Sequence, residues 1–114
     1  MSAITTHVLD LERGRPAAGM PVRLEHRSPD RGWVKLADRV TDADGRVGDL
    51  LAPGVLPEAG RYRITFETGE YFRARAESSF YPEACVTFEV GDREQHYHVP
   101  LLLSPFGYST YRGS

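Results

Sequence analysis

The chain has 114 residues, of which 40% are hydrophobic and 26% are charged, a composition typical of one folded globular domain. Its formal net charge of -2 argues against a protein that binds nucleic acid or is held on anionic membranes. No apolar run approaches the roughly 20 residues that a transmembrane helix needs. Residues 1–10 lack the basic and apolar regions of a secretory signal, and Cys85 is the only cysteine, so we expect a cytoplasmic, single-domain protein over residues 1–114.

Short segments of alternating polar and apolar residues recur along the chain. They occupy 6–12, 20–27, 32–41, 46–51, 61–68, 84–90, 96–103 and 108–111. A period of two is typical of strands that have one buried face, and turn residues separate the segments. We therefore predict a mainly β protein, an antiparallel sandwich of seven or eight strands.

One stretch lacks this alternation. TGEYFRARAESS, at 68–79, predicts a helix of about two or three turns with Thr68 as its N-cap. Pro82 disfavours helical backbone at the residue before it, so the chain should return to extended structure there. Cys85 follows in the apolar run ACVTFEV, and we expect its side chain to pack in the core.

The segment HYHVPLLL carries the most informative pattern, because side chains on a strand alternate between two faces. One set is an apolar series and should face the core: Tyr97, Val99, Leu101 and Leu103. The other set should face outward: His96, His98, Pro100 and Leu102. Two imidazoles beside a proline, which has no amide donor, suit the wall of a cleft better than a solvated surface.

The residues alone leave three interpretations of His96 and His98 open. They are ordinary surface histidines, a pair of metal ligands, or groups for acid–base catalysis. Zinc needs about three or four ligands, and no cysteine or acidic cluster lies near the pair in the sequence. Catalysis needs further polar groups. Candidates are His7, Arg46 after the turn DADG, and the tail over 109–114.

Four motifs together resemble the 5-hydroxyisourate hydrolases, the transthyretin-related enzymes of urate breakdown. They are HVLD at 7–10, TDADGR at 41–46, YPE at 81–83 and HYHVPLLLSPFGYSTYRGS at 96–114. The resemblance extends over nearly the whole chain, and the terminal YRGS is the signature of this family. YPE stands where FPE is more usual. Transthyretin, the thyroid-hormone carrier, has the same fold but lacks both YRGS and the two histidines of HYHVP.

The resemblance implies a transthyretin-like (prealbumin-like) β-sandwich and specific roles for site residues. His7, Arg46 and His98 match the catalytic residues of the family. The positions that match its substrate-binding residues are His7, Arg46, Tyr111, Arg112, Gly113 and Ser114. His96 is expected at the channel mouth or in a structural role, and Ser109 either lines the channel or packs.

The implied reaction is hydrolysis of 5-hydroxyisourate to 2-oxo-4-hydroxy-4-carboxy-5-ureidoimidazoline, with no cofactor and no metal. The implied assembly is a homotetramer, a dimer of dimers, whose sites lie in a central channel at the subunit interface. The end of the chain is then expected to form part of the site. Two alternatives are a non-catalytic carrier of small aromatic ligands and a structural zinc module built on His96 and His98.

Overall fold

The computed structural model describes residues 2–114, which form nine strands and one short helix. The strands are β1 (Ile4–Asp10), β2 (Arg15–Pro16), β3 (Pro21–Ser28), β4 (Gly32–Val40), β5 (Arg46–Val47), β6 (Gly60–Phe66), β7 (Ala84–Val90), β8 (Tyr97–Ser104) and β9 (Gly107–Thr110), and the helix is α1 (Thr68–Arg73). Only β2 and β5 are two-residue strands. The seven longer strands agree with the predicted number.

The strands form two sheets. The first has the order β2-β1-β8-β9, with β5 also paired to β1, and the second has the order β4-β3-β6-β7. Pairs are antiparallel except for β1 and β8, which are parallel. The predicted mainly β sandwich is confirmed, with this one parallel pair as a departure from an all-antiparallel arrangement.

Residues from both sheets contribute to one hydrophobic core. The inward-facing series predicted in 96–103 is confirmed, because Tyr97, Val99, Leu101 and Leu103 are all buried. The alternate residues of β6 that face the same core are Tyr62, Ile64 and Phe66. Burial of apolar surface of this kind is the main stabilising contribution to a sandwich.

Helix α1 is shorter than predicted, with six residues. Its N-cap is Glu67, which makes no side-chain capping bond, so the assignment of Thr68 as N-cap is wrong. The Thr68 hydroxyl instead donates to the carbonyl of Tyr81 across the loop, at 3.3 Å. The helix ends early because Ala76 takes a positive φ of 56°, outside the helical region.

A buried carboxylate joins the helix to the first sheet. The Tyr71 hydroxyl donates to Asp10 Oδ2 at 2.7 Å, and the carboxylate of Asp10 is fully buried. Burial and this hydrogen bond raise the pKa of Tyr71 to about 12, so the phenol keeps its proton at neutral pH. Asp10, the last residue of HVLD, is therefore a structural anchor for the strand that carries His7.

Cys85 lies on the exposed outer face of β7, so the expectation that it packs in the core is wrong. The face of β7 that turns inward carries Ala84, Val86, Phe88 and Val90. The thiol lies 3.2 Å from the Thr65 hydroxyl on the neighbouring strand.

Between residues 2 and 114 the structure contains no helix of the length and hydrophobicity needed to span a bilayer.

Candidate active site

Strand register brings the three predicted catalytic residues to the outer face of the first sheet. His98 in β8 pairs with Thr5 in β1, and His7 pairs with Pro100 on one side and with Arg46 on the other. Directly paired residues point to the same face, as do residues two apart on one strand. His7, Arg46 and His98 therefore share one face within a single chain.

Arg46 is placed next to β1 by the turn that precedes it. The Asp42 carboxylate accepts the backbone N–H groups of Asp44 and Arg46, at 2.9 and 3.0 Å. Gly45 has a φ of +73°, and a Cβ there would lie 2.5 Å from the Val8 carbonyl oxygen. Only glycine allows the turn to approach β1 this closely, and the Val8 N–H then donates to the Gly45 carbonyl at 2.8 Å.

The Arg46 guanidinium has no carboxylate partner within residues 2–114, where ion pairs occur elsewhere on the surface. Its side chain is exposed on the face that carries the histidines. A cation without an internal partner is available to an anionic or strongly polar ligand.

His98 is held by contacts on two sides. Its Nδ1 lies 2.8 Å from the Thr5 hydroxyl, and its carbonyl accepts the Gly113 N–H at 2.8 Å. A Cβ on Gly113 would lie 2.5 Å from Cδ2 of the ring, so the glycine backbone packs directly on the imidazole. Burial, followed by the charges of His96, Arg46 and His7, lowers the pKa of His98 and favours its neutral form.

These groups border a cleft of about 220 Å³. Its lining residues are Thr5, Thr6, Arg46, Val47, Gly48, His96, His98 and Ser114. His7 follows Thr5 by two positions on the same face but is not one of the lining residues. The cleft thus combines a neutral imidazole, a second imidazole and a cation, the groups needed for acid–base and electrostatic catalysis.

The structure separates the predicted tail residues into two groups. Gly113 and Ser114 lie beside His98 at this cleft. Tyr111 and Arg112 line a second cavity of about 260 Å³, which His98 and residues of β7 also line. The Arg112 guanidinium lies 4.7 Å from the centre of the Tyr97 ring and donates to Gln95.

Pro100 is buried within the single chain, and Gly113 packs against it as well as against His98. The outward-facing residues of β8 are therefore covered in part by the chain's own tail, before any second subunit is considered. Ser109 pairs with Leu102 and lies exposed on the same outer face.

Sequence reasoning missed Thr5. Its hydroxyl lies 3.1 Å from His96 Nε2 and 2.8 Å from His98 Nδ1, so it bridges the two histidines. The alternation in ITTHVLD places Thr5 on the His7 face, but contact with His98 depends on pairing across 93 residues.

In the part of the chain that is described, no cluster of three or more His, Cys, Asp or Glu side chains could hold a metal ion.

Comparison with known proteins supports one family over nearly the whole chain. The model of the HIUase/Transthyretin family matches residues 4–113. The chain is 46% identical over 111 residues to a 5-hydroxyisourate hydrolase of Salmonella typhimurium, covering 97% of this chain and 80% of that protein. It is 44% identical over 114 residues to a 5-hydroxyisourate hydrolase of Mus musculus, covering 99% of this chain and 96% of that one.

Solved structures agree. A 5-hydroxyisourate hydrolase from Klebsiella pneumoniae is similar with a TM-score of 0.86 and 38% identity, and each chain covers all of the other. Sea bream transthyretin in complex with thyroxine is similar with a TM-score of 0.90 and 33% identity, with 97% of this chain and 94% of that chain covered. The fold alone thus fits both an enzyme and a carrier, and the chain belongs to the HIUase/Transthyretin family.

Proposed function

We propose that the chain is a single-domain hydrolase over residues 1–114 that opens the ring of 5-hydroxyisourate in urate degradation. The observation that carries this proposal is the shared face of His7, Arg46 and His98, in a chain similar to proteins named 5-hydroxyisourate hydrolase. A carrier of aromatic ligands has no need for two imidazoles and an unpaired guanidinium on one face. The product is 2-oxo-4-hydroxy-4-carboxy-5-ureidoimidazoline.

The proposed chemistry is attack of water on the lactam carbonyl. One of His7 and His98, in its neutral form, takes a proton from the water, and the other orients the water or protonates the leaving nitrogen. A well-placed general base contributes about 10²–10⁴ in rate. The lowered pKa of His98 suits this role, because the ring stays neutral at pH values where an ordinary histidine is partly protonated.

Arg46 stabilises the charge that grows on the carbonyl oxygen, or holds the polar edge of the substrate. The tail supplies positioning contacts for the substrate through Ser114 and, from the second cavity, through Tyr111 and Arg112. Gly113 acts by leaving room for the His98 ring. No cofactor and no metal take part in these steps.

We propose that the enzyme is a homotetramer with its sites completed at subunit interfaces. Strands β7 and β9 end their sheets, and each is hydrogen-bonded along one edge only within residues 2–114. Unpaired edges are ready to bind another strand. Phe80 and Phe106 are each 70% exposed, which adds apolar surface for a second subunit to cover. Light scattering after size-exclusion chromatography measures the mass, and a monomer would contradict this assembly.

The test of function is the decay of freshly generated 5-hydroxyisourate, followed by ultraviolet absorbance. We expect the protein to accelerate the decay, and the His7→Ala and His98→Ala variants to lose most of the acceleration. His26→Ala is the matched control, because His26 is stacked on Tyr62 in the other sheet, 4.4 Å between ring centroids. Decay equal to the spontaneous rate would reject the hydrolase function.

The fold likeness to a thyroxine-bound transthyretin keeps a carrier as the second candidate. Binding of aromatic ligands without any acceleration of 5-hydroxyisourate decay would favour it. A zinc module built on His96 and His98 predicts stoichiometric zinc in untagged protein. Full hydrolase activity after chelation would instead remove zinc from the mechanism.

A further inference from the structure

The Thr5 hydroxyl links the two histidines of HYH in one hydrogen-bonded chain. Its oxygen lies 3.1 Å from His96 Nε2 and 2.8 Å from His98 Nδ1. Thr5 is only 6% exposed, so water does not easily replace either partner. The two imidazole planes are nearly parallel, 12° apart, with centroids separated by 6.3 Å. The three side chains are thus held as a unit at the wall of the cleft.

A hydroxyl has one proton to donate, and this restricts the tautomers of both rings. If Thr5 donates to His96, it accepts from His98, whose proton is then on Nδ1 and whose Nε2 is a bare acceptor. If Thr5 donates to His98, it accepts from His96, and the proton of neutral His98 is then on Nε2. The direction of this hydrogen-bonded chain therefore decides whether the free nitrogen of His98, Nε2, is a base or an acid.

Protonation of His96 permits only one of these directions. A doubly protonated His96 donates from Nε2 to Thr5, so Thr5 must donate to His98 Nδ1, and the remaining proton of His98 is on Nε2. Burial, followed by the charges of His96, Arg46 and His7, lowers the pKa of His98, so a proton on the His98 side of the pair is disfavoured.

The other charged or titratable groups around this hydrogen-bonded chain are of both signs, since Glu94 and Arg93 line a cavity together with His96. His7 faces the hydrogen-bonded chain from β1 and Arg46 from β5, and both disfavour a charge on His98. The Arg112 guanidinium, from the C-terminal segment, donates to the His96 carbonyl at 3.5 Å. Ser114 completes the lining of the cleft.

We propose that Thr5 and His96 are positioning residues that set the tautomer of His98, and that a proton on His96 holds the hydrogen-bonded chain in the one direction that leaves the proton of neutral His98 on Nε2 and removes its basic nitrogen from the cleft. This inference rests on the proposed function for its catalytic meaning. The tautomer itself is a property of the resting protein and is measurable without turnover.

The direct test is two-bond ¹⁵N–¹H correlation NMR on protein labelled with ¹⁵N-histidine, recorded from pH 8 down to pH 5. We expect the fraction of neutral His98 in its Nε2–H tautomer to rise as the pH is lowered through this range. In His96→Ala the shift with pH should disappear. A His98 tautomer that follows the same course in wild type, His96→Ala and Thr5→Val would overturn the proposal.

The kinetic test uses Thr5→Val, which keeps the shape of the side chain and removes the hydroxyl. We expect kcat to fall about tenfold, the effect of losing one hydrogen bond of ordinary strength, with KM little changed. Thr5→Ser should restore kcat, because it restores the hydroxyl. Thr65→Val is the matched control, since Thr65 is also buried and hydrogen-bonded, but to Cys85 in the other sheet.

Failure of the positioning roles and failure of the proposed hydrolase function give different results. An active enzyme whose His98 tautomer ignores Thr5 and His96 would reject the positioning roles and leave the hydrolase function intact. A protein without hydrolase activity whose His98 tautomer still follows His96 would reject the proposed function and leave the hydrogen-bonded chain intact. A kcat that is unchanged in Thr5→Val would also contradict the positioning role.

Discussion

Gly113→Ala tests whether the C-terminal tail fixes the position of the His98 imidazole. A Cβ at residue 113 would lie 2.5 Å from His98 Cδ2 and 3.2 Å from both His98 Cγ and Pro100 Cγ. Carbon atoms in contact are normally about 3.5–4.0 Å apart, so the ring or the tail must move by about 1 Å. Movement of the ring would disrupt the 2.8 Å contact between His98 Nδ1 and Thr5, and movement of the tail would strain the 2.8 Å bond from Gly113 to the His98 carbonyl.

A displacement of about 1 Å at a catalytic group can reduce turnover by about 10²-fold. We therefore expect kcat for 5-hydroxyisourate to fall by about that factor in Gly113→Ala, measured by ultraviolet absorbance. Gly91→Ala is the matched control, because Gly91 follows a strand of the other sheet and an added Cβ there meets no atom within 4 Å. Thermal unfolding of both variants checks that the fold persists. Wild-type kcat in a folded Gly113→Ala would refute the reasoning.

Three further predictions test other parts of the structure. Arg46→Gln removes a positive charge that helps to lower the pKa of His98, so the pKa of His98 should rise in this variant. An NMR titration in which the His98 pKa is unchanged would contradict that expectation. The same variant should reduce kcat by about 10²–10³. Tyr71→Phe should lower the free energy of unfolding by about 1.5–3 kcal/mol in urea titrations, because it removes a hydrogen bond to the buried Asp10 carboxylate, whereas a loss near zero would show that the anchor is unimportant. Cys85 is exposed on the face of β7 away from the cleft, so iodoacetamide should modify it with hydrolase activity retained, and inactivation in step with mass-detected labelling would oppose that placement.

The two faces of β8 could be predicted because the alternation of polar and apolar residues reflects which side chains are buried. A strand with one buried face must place Val99 and Leu101 on one side and His98 on the other, and the structure does so. The prediction that Cys85 is buried was wrong because it rested on the apolar run ACVTFEV, whereas alternate residues of this strand face outward and Cys85 is one of them. The N-terminus of the helix differed by one residue because helix caps depend on loop contacts, here the Thr68 hydroxyl with Tyr81, that no local pattern encodes.

The candidate site was less accessible to local reasoning than the fold. His7 and Arg46 were two candidates among several, and only the resemblance to a family gave them a catalytic role, since a lone histidine on a strand and an arginine after a turn are individually common. Thr5 escaped notice because its partners lie more than 90 residues away, and a threonine in a β-strand needs no special explanation. Contacts between distant segments depend on strand order and register, which the alternation of a single segment does not specify.

The parallel pairing of β1 with β8 builds the proposed catalytic face of this sandwich. Its register aligns Thr5 with His98 and His7 with Pro100, so the histidines of two distant motifs point the same way. A slip of one residue would turn His98 toward the core and bring Val99 outward, so that an apolar side chain would be exposed and the imidazole would leave the candidate site. The core residues of β1 and β8, including Val8 and Leu101, therefore fix the register that the site requires. Packing and the proposed catalysis therefore depend on alternate residues of the same two strands, so the outer face can differ without any change to the core.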